Sequence, residues 1–127
     1  MIDTPNTNHL VTGRNAERDA LLFLESKGLV LLERNYSCNI GEIDLIMRDG
    51  EYVVFVEVRH RTNPSHGNAL ESITPSKIRK IIGTAKFYLL TKKWVYTIPC
   101  RFDIIAFHPV AGEIKLEWLK NAFTLDR

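Results

Sequence analysis

The chain has 127 residues, of which 45% are hydrophobic and 25% charged, and its formal net charge is +2. That is the size and mixture of one soluble domain with its own core. No 18-residue apolar run is present, which excludes a helical membrane span, and the near-neutral total charge is by itself a weak argument for nucleic acid.

The first twelve residues are polar and aperiodic and read as a loose, flexible tail, leaving 13–127 as a single domain. MIDTPNTNHLVTGR has neither a basic stretch nor an apolar core, so no secretory signal is expected. From Arg14 to Lys27, the residues Ala16, Ala20, Phe23 and Leu24 recur at helical spacing with Leu21 beside them. Gly28 stands where a helix C-terminus favours a left-handed residue. LVLLERNY, residues 29–36, reads as a strand and SCNIG as a loop. Residues 42–48 and 51–59 read as two strands joined at Asp49-Gly50, a tight-turn pair. TNPSHGNA is a loop. Thr74-Pro75 offers an N-cap followed by proline at the first helical position. Ile78, Ile81, Ile82, Ala85 and Leu89 then form an apolar stripe to about Lys92. RFDIIAF (101–107) and EIKLEWL (113–119) are strands, with the turn between them over Pro109–Gly112. The order is α-β-β-β-α-β-β, an α/β domain with a mixed central sheet flanked by helices, in which the second helix provides a crossover to a parallel strand.

The hairpin is the unusual segment. With Asp49 and Gly50 as its loop, Arg48 faces Glu51, Asp44 faces Phe55 and Glu42 faces Glu57. Side chains alternate between faces. Ile43, Leu45, Met47, Tyr52, Val54, Val56 and Val58 share a core face. The other face carries Ile46, Val53 and Phe55 in its middle and Glu42, Asp44, Glu57 and Arg59 towards the end away from the turn. Like charges placed opposite one another repel, and carboxylates on an apolar surface resist burial. A hard divalent cation, Mg²⁺ or Mn²⁺, relieves both problems, because it takes oxygen ligands and is held by one or two carboxylates. The competing reading is a solvated edge hairpin whose carboxylates bridge to Arg48, Arg59 and Arg61, and Ile46, Val53 and Phe55 argue against it.

Charge is unevenly distributed. Between Glu71 and Asp103 there is no acidic residue, whereas Lys77, Arg79, Lys80, Lys86, Lys92, Lys93 and Arg101 all fall there. Such a one-sign segment implies a basic face; the plainer reading of the charge run by itself is an ordinary solvated helix surface. Cys38 and Cys100 are too few for a disulfide framework or a zinc site, and read as reduced thiols of a cytoplasmic protein. His9, His60, His66 and His108 show no metal-ligand spacing.

GEIDLI, a short hairpin and FVEVR together resemble the D-(spacer)-E-x-K core of the PD-(D/E)XK nucleases, the restriction-endonuclease-like fold. From about Gly13 to Phe107 the chain resembles the YraN family of small bacterial proteins, which is similar to archaeal Holliday-junction resolvases. GRNAERDALLFLESKG, NIGEIDLI, VFVEVRHR, the SKIRKI helix and RFDIIAF carry that resemblance in order. It implies Asp44 and Glu57 as metal carboxylates, Glu17 of the first helix as a further acidic ligand, and Glu42 in support. For Glu17 the plainer reading is a first-turn glutamate favoured by the helix dipole. Arg59 stands where the pattern has lysine. Arginine keeps the charge and clamps phosphate with two hydrogen bonds, but cannot serve as a base.

The implied activity is a metal-dependent, structure-selective DNA endonuclease. In it Asp44, Glu57 and Glu17 hold Mg²⁺ or Mn²⁺, Arg59 stabilises developing charge, and the metal acidifies its own water. Lys77, Arg79, Lys80 and Lys86, with Arg14 and Arg61, would contact phosphates of branched or otherwise structured DNA without reading sequence. The alternative is a nucleic-acid-binding module that kept the fold and lost efficient catalysis through Arg59. A third class is a protein-interaction domain with no salt-dependent DNA binding. Resolvase relatives act as dimers, and a homodimer is left open.

Overall fold

The computed structural model describes residues 13–61 and 69–125, with side chains from Ala16 onward. The expected tail over residues 1–12 and most of the TNPSHGNA loop lie outside the described residues. The elements are α1 (Gly13–Ser26), β1 (Val30–Ser37), β2 (Glu42–Asp49), β3 (Tyr52–His60), α2 (Pro75–Thr91), β4 (Cys100–Val110) and β5 (Glu113–Phe123). A 3-10 turn at Leu70–Ser72, not expected from sequence, precedes α2.

The five strands lie in sequence order, β1-β2-β3-β4-β5. All neighbours are antiparallel except β3 and β4, which run parallel from Val53↔Cys100 to His60↔Phe107. The α2 crossover produces that one parallel step, since parallel neighbours need a long connection. α1 covers one face of the sheet, where Ala16, Ala20 and Leu24 pack on Leu45, Met47, Val54, Val56, Ile105 and Phe107. α2 covers the other, where Ile78, Ile81, Ile82, Ala85 and Leu89 pack on Ile46, Val53, Phe55, Phe102 and Ile104. The hairpin is therefore buried on both sides. Ile43, expected to share the face of Leu45 and Met47, joins the α2-side cluster instead.

The helix starts follow local chemistry. Thr74 caps α2 by accepting the Lys77 N–H at 3.1 Å, with Pro75 at the start of the helix. Gly28 takes φ +95° after α1, where a side chain would be strained.

Two turns depart from the expected ones. The β2–β3 ladder pairs Asp49 with Tyr52, Ile46 with Phe55 and Leu45 with Val56, two residues out of step with a loop at Asp49-Gly50. The loop residues are Gly50 and Glu51, of which only Gly50 has positive φ, +61°. A II′ turn asks for glycine at its first central position, and Asp49 is thereby left in the strand. An even shift does not itself move a side chain to the other face; it changes its opposite number. Likewise, β4 continues through Pro109 and Val110, and the β4–β5 turn is Ala111-Gly112, with φ of +53° and +83°. Pro109 is tolerated because pairing with β3 ends at Phe107, leaving β4 with one neighbour there.

Candidate metal and phosphate site

The corrected register brings the motif carboxylates together. The β2–β3 ladder stops at Leu45↔Val56, and the next position along sets Asp44 against Glu57 instead of the expected Phe55. Glu42, expected opposite Glu57, is displaced two residues along the strand and is exposed. On the other side of β2, Arg34↔Leu45 and Tyr36↔Ile43 bracket Asn35, which therefore faces Asp44. On β4, Ile104 is the neighbour of Glu57. The pair thus occupies the middle of a five-stranded sheet, at the end of the hairpin away from Gly50.

Their environment is poor in partners. Glu57 is 5% exposed. Asp44 Oδ2 accepts the Val58 N–H at 2.8 Å, so that donor is used where the β2–β3 ladder ends. The two carboxyl groups are close enough to perturb each other. Burial is the main force on both, raising Asp44 to about 6 and Glu57 to about 8. The Val58 N–H restrains Asp44 and the nearby Glu17 pushes it further up. The charge of Asp44 adds to the rise at Glu57, while Lys77 and Arg59 oppose it. Such a pair titrates as a unit and keeps one proton in neutral solution.

The remaining expected residues fall into distinct groups. Glu17 lies beyond the first turn of α1, so the helix-dipole reading fails for it. Its Oε1 accepts from Asn35 Nδ2 at 2.8 Å, which ties α1 to β1 beside Asp44. Arg59 is half-buried, and its Nη2 donates to the Ser72 carbonyl at 2.8 Å. Its Nε is buried with no hydrogen-bond partner among the described residues. Lys77 Nζ stands 3.9 Å from Glu57 Oε2, the lysine side chain 39% exposed. Arg79, Lys80 and Lys86 are exposed on α2. Arg61 is not a surface cation: it is 7% exposed, and its backbone N–H continues β3 by donating to the Phe107 carbonyl at 2.7 Å. The side chain of Arg14 lies outside the described residues.

Sequence reasoning missed the tethers. Asn35 has φ +50°, a left-handed conformation that asparagine tolerates, and its presence inside a strand was the available signal. Gly41 of GEID lies against α2, where an added Cβ would meet Thr84 Oγ1 at 3.2 Å and Lys80 Cβ at 3.4 Å. That close approach holds the start of β2 against the basic helix.

Among the described residues no group of three His, Cys, Asp or Glu side chains gathers to hold a metal. The donor set is the two carboxylates Asp44 and Glu57. Two hard oxygen donors short of partners fit Mg²⁺ or Mn²⁺, which complete their shells with water and substrate phosphate.

A mixed five-stranded sheet covered by one helix on each face is consistent with the restriction-endonuclease-like fold. Residues 16–107 match the model of "Uncharacterised protein family UPF0102", and the chain belongs to that family, which lies in the restriction-endonuclease-like superfamily. A UPF0102 protein of Alkalilimnicola ehrlichii is 52% identical over 91% of this chain and 89% of its own. One from Nitrosospira multiformis is 51% identical over 90% and 93%, and one from Pseudomonas fluorescens 45% identical over 94% and 98%. Among solved structures, Pyrococcus furiosus SfsA in complex with Ca²⁺ aligns at 11% identity and TM-score 0.33, over 85% of this chain and 62% of that one. No helix among the described residues is long and apolar enough to cross a membrane.

Proposed function

We propose that this protein is a metal-dependent, structure-selective DNA endonuclease that hydrolyses phosphodiesters. The observation carrying the reading is the buried Asp44–Glu57 pair. Two adjacent carboxyls with one backbone donor and one loose lysine are destabilising unless something cationic visits them. Mg²⁺ or Mn²⁺ bound there would supply charge for the phosphate and acidify a water. Glu17, held by Asn35, adds negative charge beside the pair and supports a ligand through water. Exposed Arg79, Lys80 and Lys86 on α2 would take DNA phosphates without reading bases, which favours recognition of a branch or flap by shape. Such work belongs in the cytoplasm, and a second copy of the chain would serve a substrate with two strands to cut.

Calorimetric titration of Mn²⁺ into wild type and into Asp44→Ala/Glu57→Ala, with and without DNA, tests the reading. Four-way, flap and single-stranded DNA then serve as cleavage substrates. Binding by wild type alone, with cleavage lost in the double variant, is the expected result. Silence in every arm, DNA included, would remove the metal mechanism. The second reading, a non-catalytic nucleic-acid-binding module, is favoured by one observation: the Arg59 guanidinium is engaged with the Ser72 carbonyl. It requires salt-dependent DNA binding that no metal converts into cleavage.

A further inference from the structure

We propose that Lys77 supplies the cationic group of the carboxylate site, and that Arg59, at the motif position, is a positioning residue that sets the approach of α2. The proposal rests on the endonuclease reading and assigns roles within the same site.

Lys77 meets the geometric requirement. Its Nζ is 3.9 Å from Glu57 Oε2, ion-pair range but longer than a hydrogen bond. Glu57 is nearly closed to solvent while the lysine side chain is 39% exposed, so the ammonium has the carboxylate on one side and water on the other. Its donors are available to a phosphate oxygen arriving from solution. The backbone under it is fixed, since Thr74 Oγ1 caps the Lys77 N–H. Helical side chains lean towards the N-terminus, which here is the carboxylate end of the sheet. The position is also a poor one for helix stability. α2 has no acidic residue in its first turn, and a cation there opposes the dipole. A lysine that costs the helix something and lies over a carboxylate pair is placed for a ligand.

Arg59 is committed elsewhere. Its Nη2 holds the Ser72 carbonyl in the turn that leads to the Thr74 cap, and its Nε is buried without a partner among the described residues. Lys77 Nζ is in ion-pair range of Glu57, whereas Arg59 Nη2 is bonded to Ser72. The arginine at the E-x-K position anchors the segment from which the lysine reaches in, so the charge comes from α2 instead of β3.

In the hydrolysis, the water oxygen forms a bond to phosphorus and one ester P–O bond breaks. The attacking water releases its proton to solvent, and the leaving oxygen takes one up. Lys77 gives and takes no proton; its ammonium hydrogen-bonds a non-bridging oxygen as charge builds there.

Single-turnover cleavage of a labelled four-way junction and a flap, at enzyme concentrations that saturate the DNA, tests the assignment. Lys77→Met is expected to lower the bound-state rate about 100-fold or more, with DNA Kd changed less than about threefold and Lys77→Arg recovering part of the rate. Arg59→Lys is expected to lose less than about tenfold. Lys115→Met, an exposed lysine on β5, controls for general charge loss. A Lys77→Met rate equal to wild type, or an Arg59→Met loss exceeding that of Lys77→Met in a folded protein, would overturn the assignment. Absence of cleavage by wild type with either metal would sink the endonuclease reading itself, and the catalytic role of Lys77 with it. Mn²⁺ calorimetry separates the cases without catalysis. Losing the neighbouring ammonium should tighten Mn²⁺ binding severalfold in Lys77→Met, and unchanged affinity would show that Lys77 does not stand at the pair.

Discussion

Two buried carboxylate sites lie one residue row apart on this sheet and are built in opposite ways. Asp103 neighbours Val56, and Glu57 neighbours Ile104, the next step along the same strands. Asp103 lies on the face of Ile105 and Phe107, under α1, and Glu57 on the face of Phe55. Asp103 is 1% exposed and fully supplied with donors. Arg101 Nε donates to both its oxygens at 3.1 and 3.2 Å, Trp118 Nε1 at 3.0 Å and the Asn121 N–H at 3.0 Å. Arg101 Nη2 reaches on to Asp49 at 2.9 Å. These bonds span the place where β5 bulges away between Phe102↔Phe123 and Ile104↔Leu119. Asp103 therefore closes a gap in a ladder. Asp44 and Glu57 have mainly each other, one backbone N–H and a lysine at 3.9 Å. A buried carboxylate saturated with fixed donors is part of the scaffold. A pair left short of donors has room for a ligand.

The largest expected effect breaks the scaffold member of this comparison. Asp103→Ala should cost about 3–5 kcal/mol in urea denaturation, because it leaves Trp118 and part of Arg101 without an acceptor. A loss under about 1 kcal/mol would remove the distinction from that side.

The second effect lies in pH. Both members of the pair have folded-state values raised above those of the unfolded chain, Asp44 to about 6 and Glu57 to about 8. Their contribution is complete below about pH 4 and is lost as pH rises through the folded values. Metal-free protein should lose stability on the order of 5 kcal/mol between pH 5 and pH 9, and saturating Mn²⁺ should reduce that slope by binding the ionised pair. Thermal unfolding across that range, with and without Mn²⁺, is the measurement. A flat profile would mean the pair is better satisfied than its geometry indicates.

Third, Glu57→Gln removes the repulsion and one charge at nearly constant volume. It should raise metal-free stability at pH 8 by about 1–2 kcal/mol while abolishing Mn²⁺ binding, the reverse of Asp103→Ala in sign. A destabilised Glu57→Gln that still binds Mn²⁺ would erase the contrast. The smallest effect sets the baseline. Lys115 and Glu113 form an ion pair at 3.5 Å with side chains 55% and 70% exposed. Lys115→Met should change stability by less than about 0.5 kcal/mol, which equilibrium denaturation can check.

Much of this architecture is legible in the chain. Periodicity locates α1 and α2 to within a residue, because each buries a stripe at i, i+3 and i+4 spacing. Thr74-Pro75 and Gly28 mark helix ends through local hydrogen bonding and φ. The alternation of 42–59 assigns nearly every hairpin residue to its face, and Ile46, Val53 and Phe55 correctly signal that the second face is covered. The Asp44–Glu57 constellation is visible as two carboxylates set among apolar neighbours. Which residue faces which is not, because Asp49-Gly50 and Gly50-Glu51 are both acceptable loops and differ only in backbone φ.

The sequence by itself determined the element order, the two apolar helix stripes and the hairpin that carries the acidic pair. Each of these is a local matter of side-chain spacing and backbone preference. Tertiary structure alone decided that Asp44 meets Glu57 directly, that Arg61 is buried, that Arg59 holds Ser72, and that Lys77 stands over Glu57. Those outcomes depend on the turn register and on how α2 docks across the sheet. Contacts between residues 13 to 20 positions apart, such as Arg59 with Ser72 and Lys77 with Glu57, are set by that packing and leave no periodic trace in the chain.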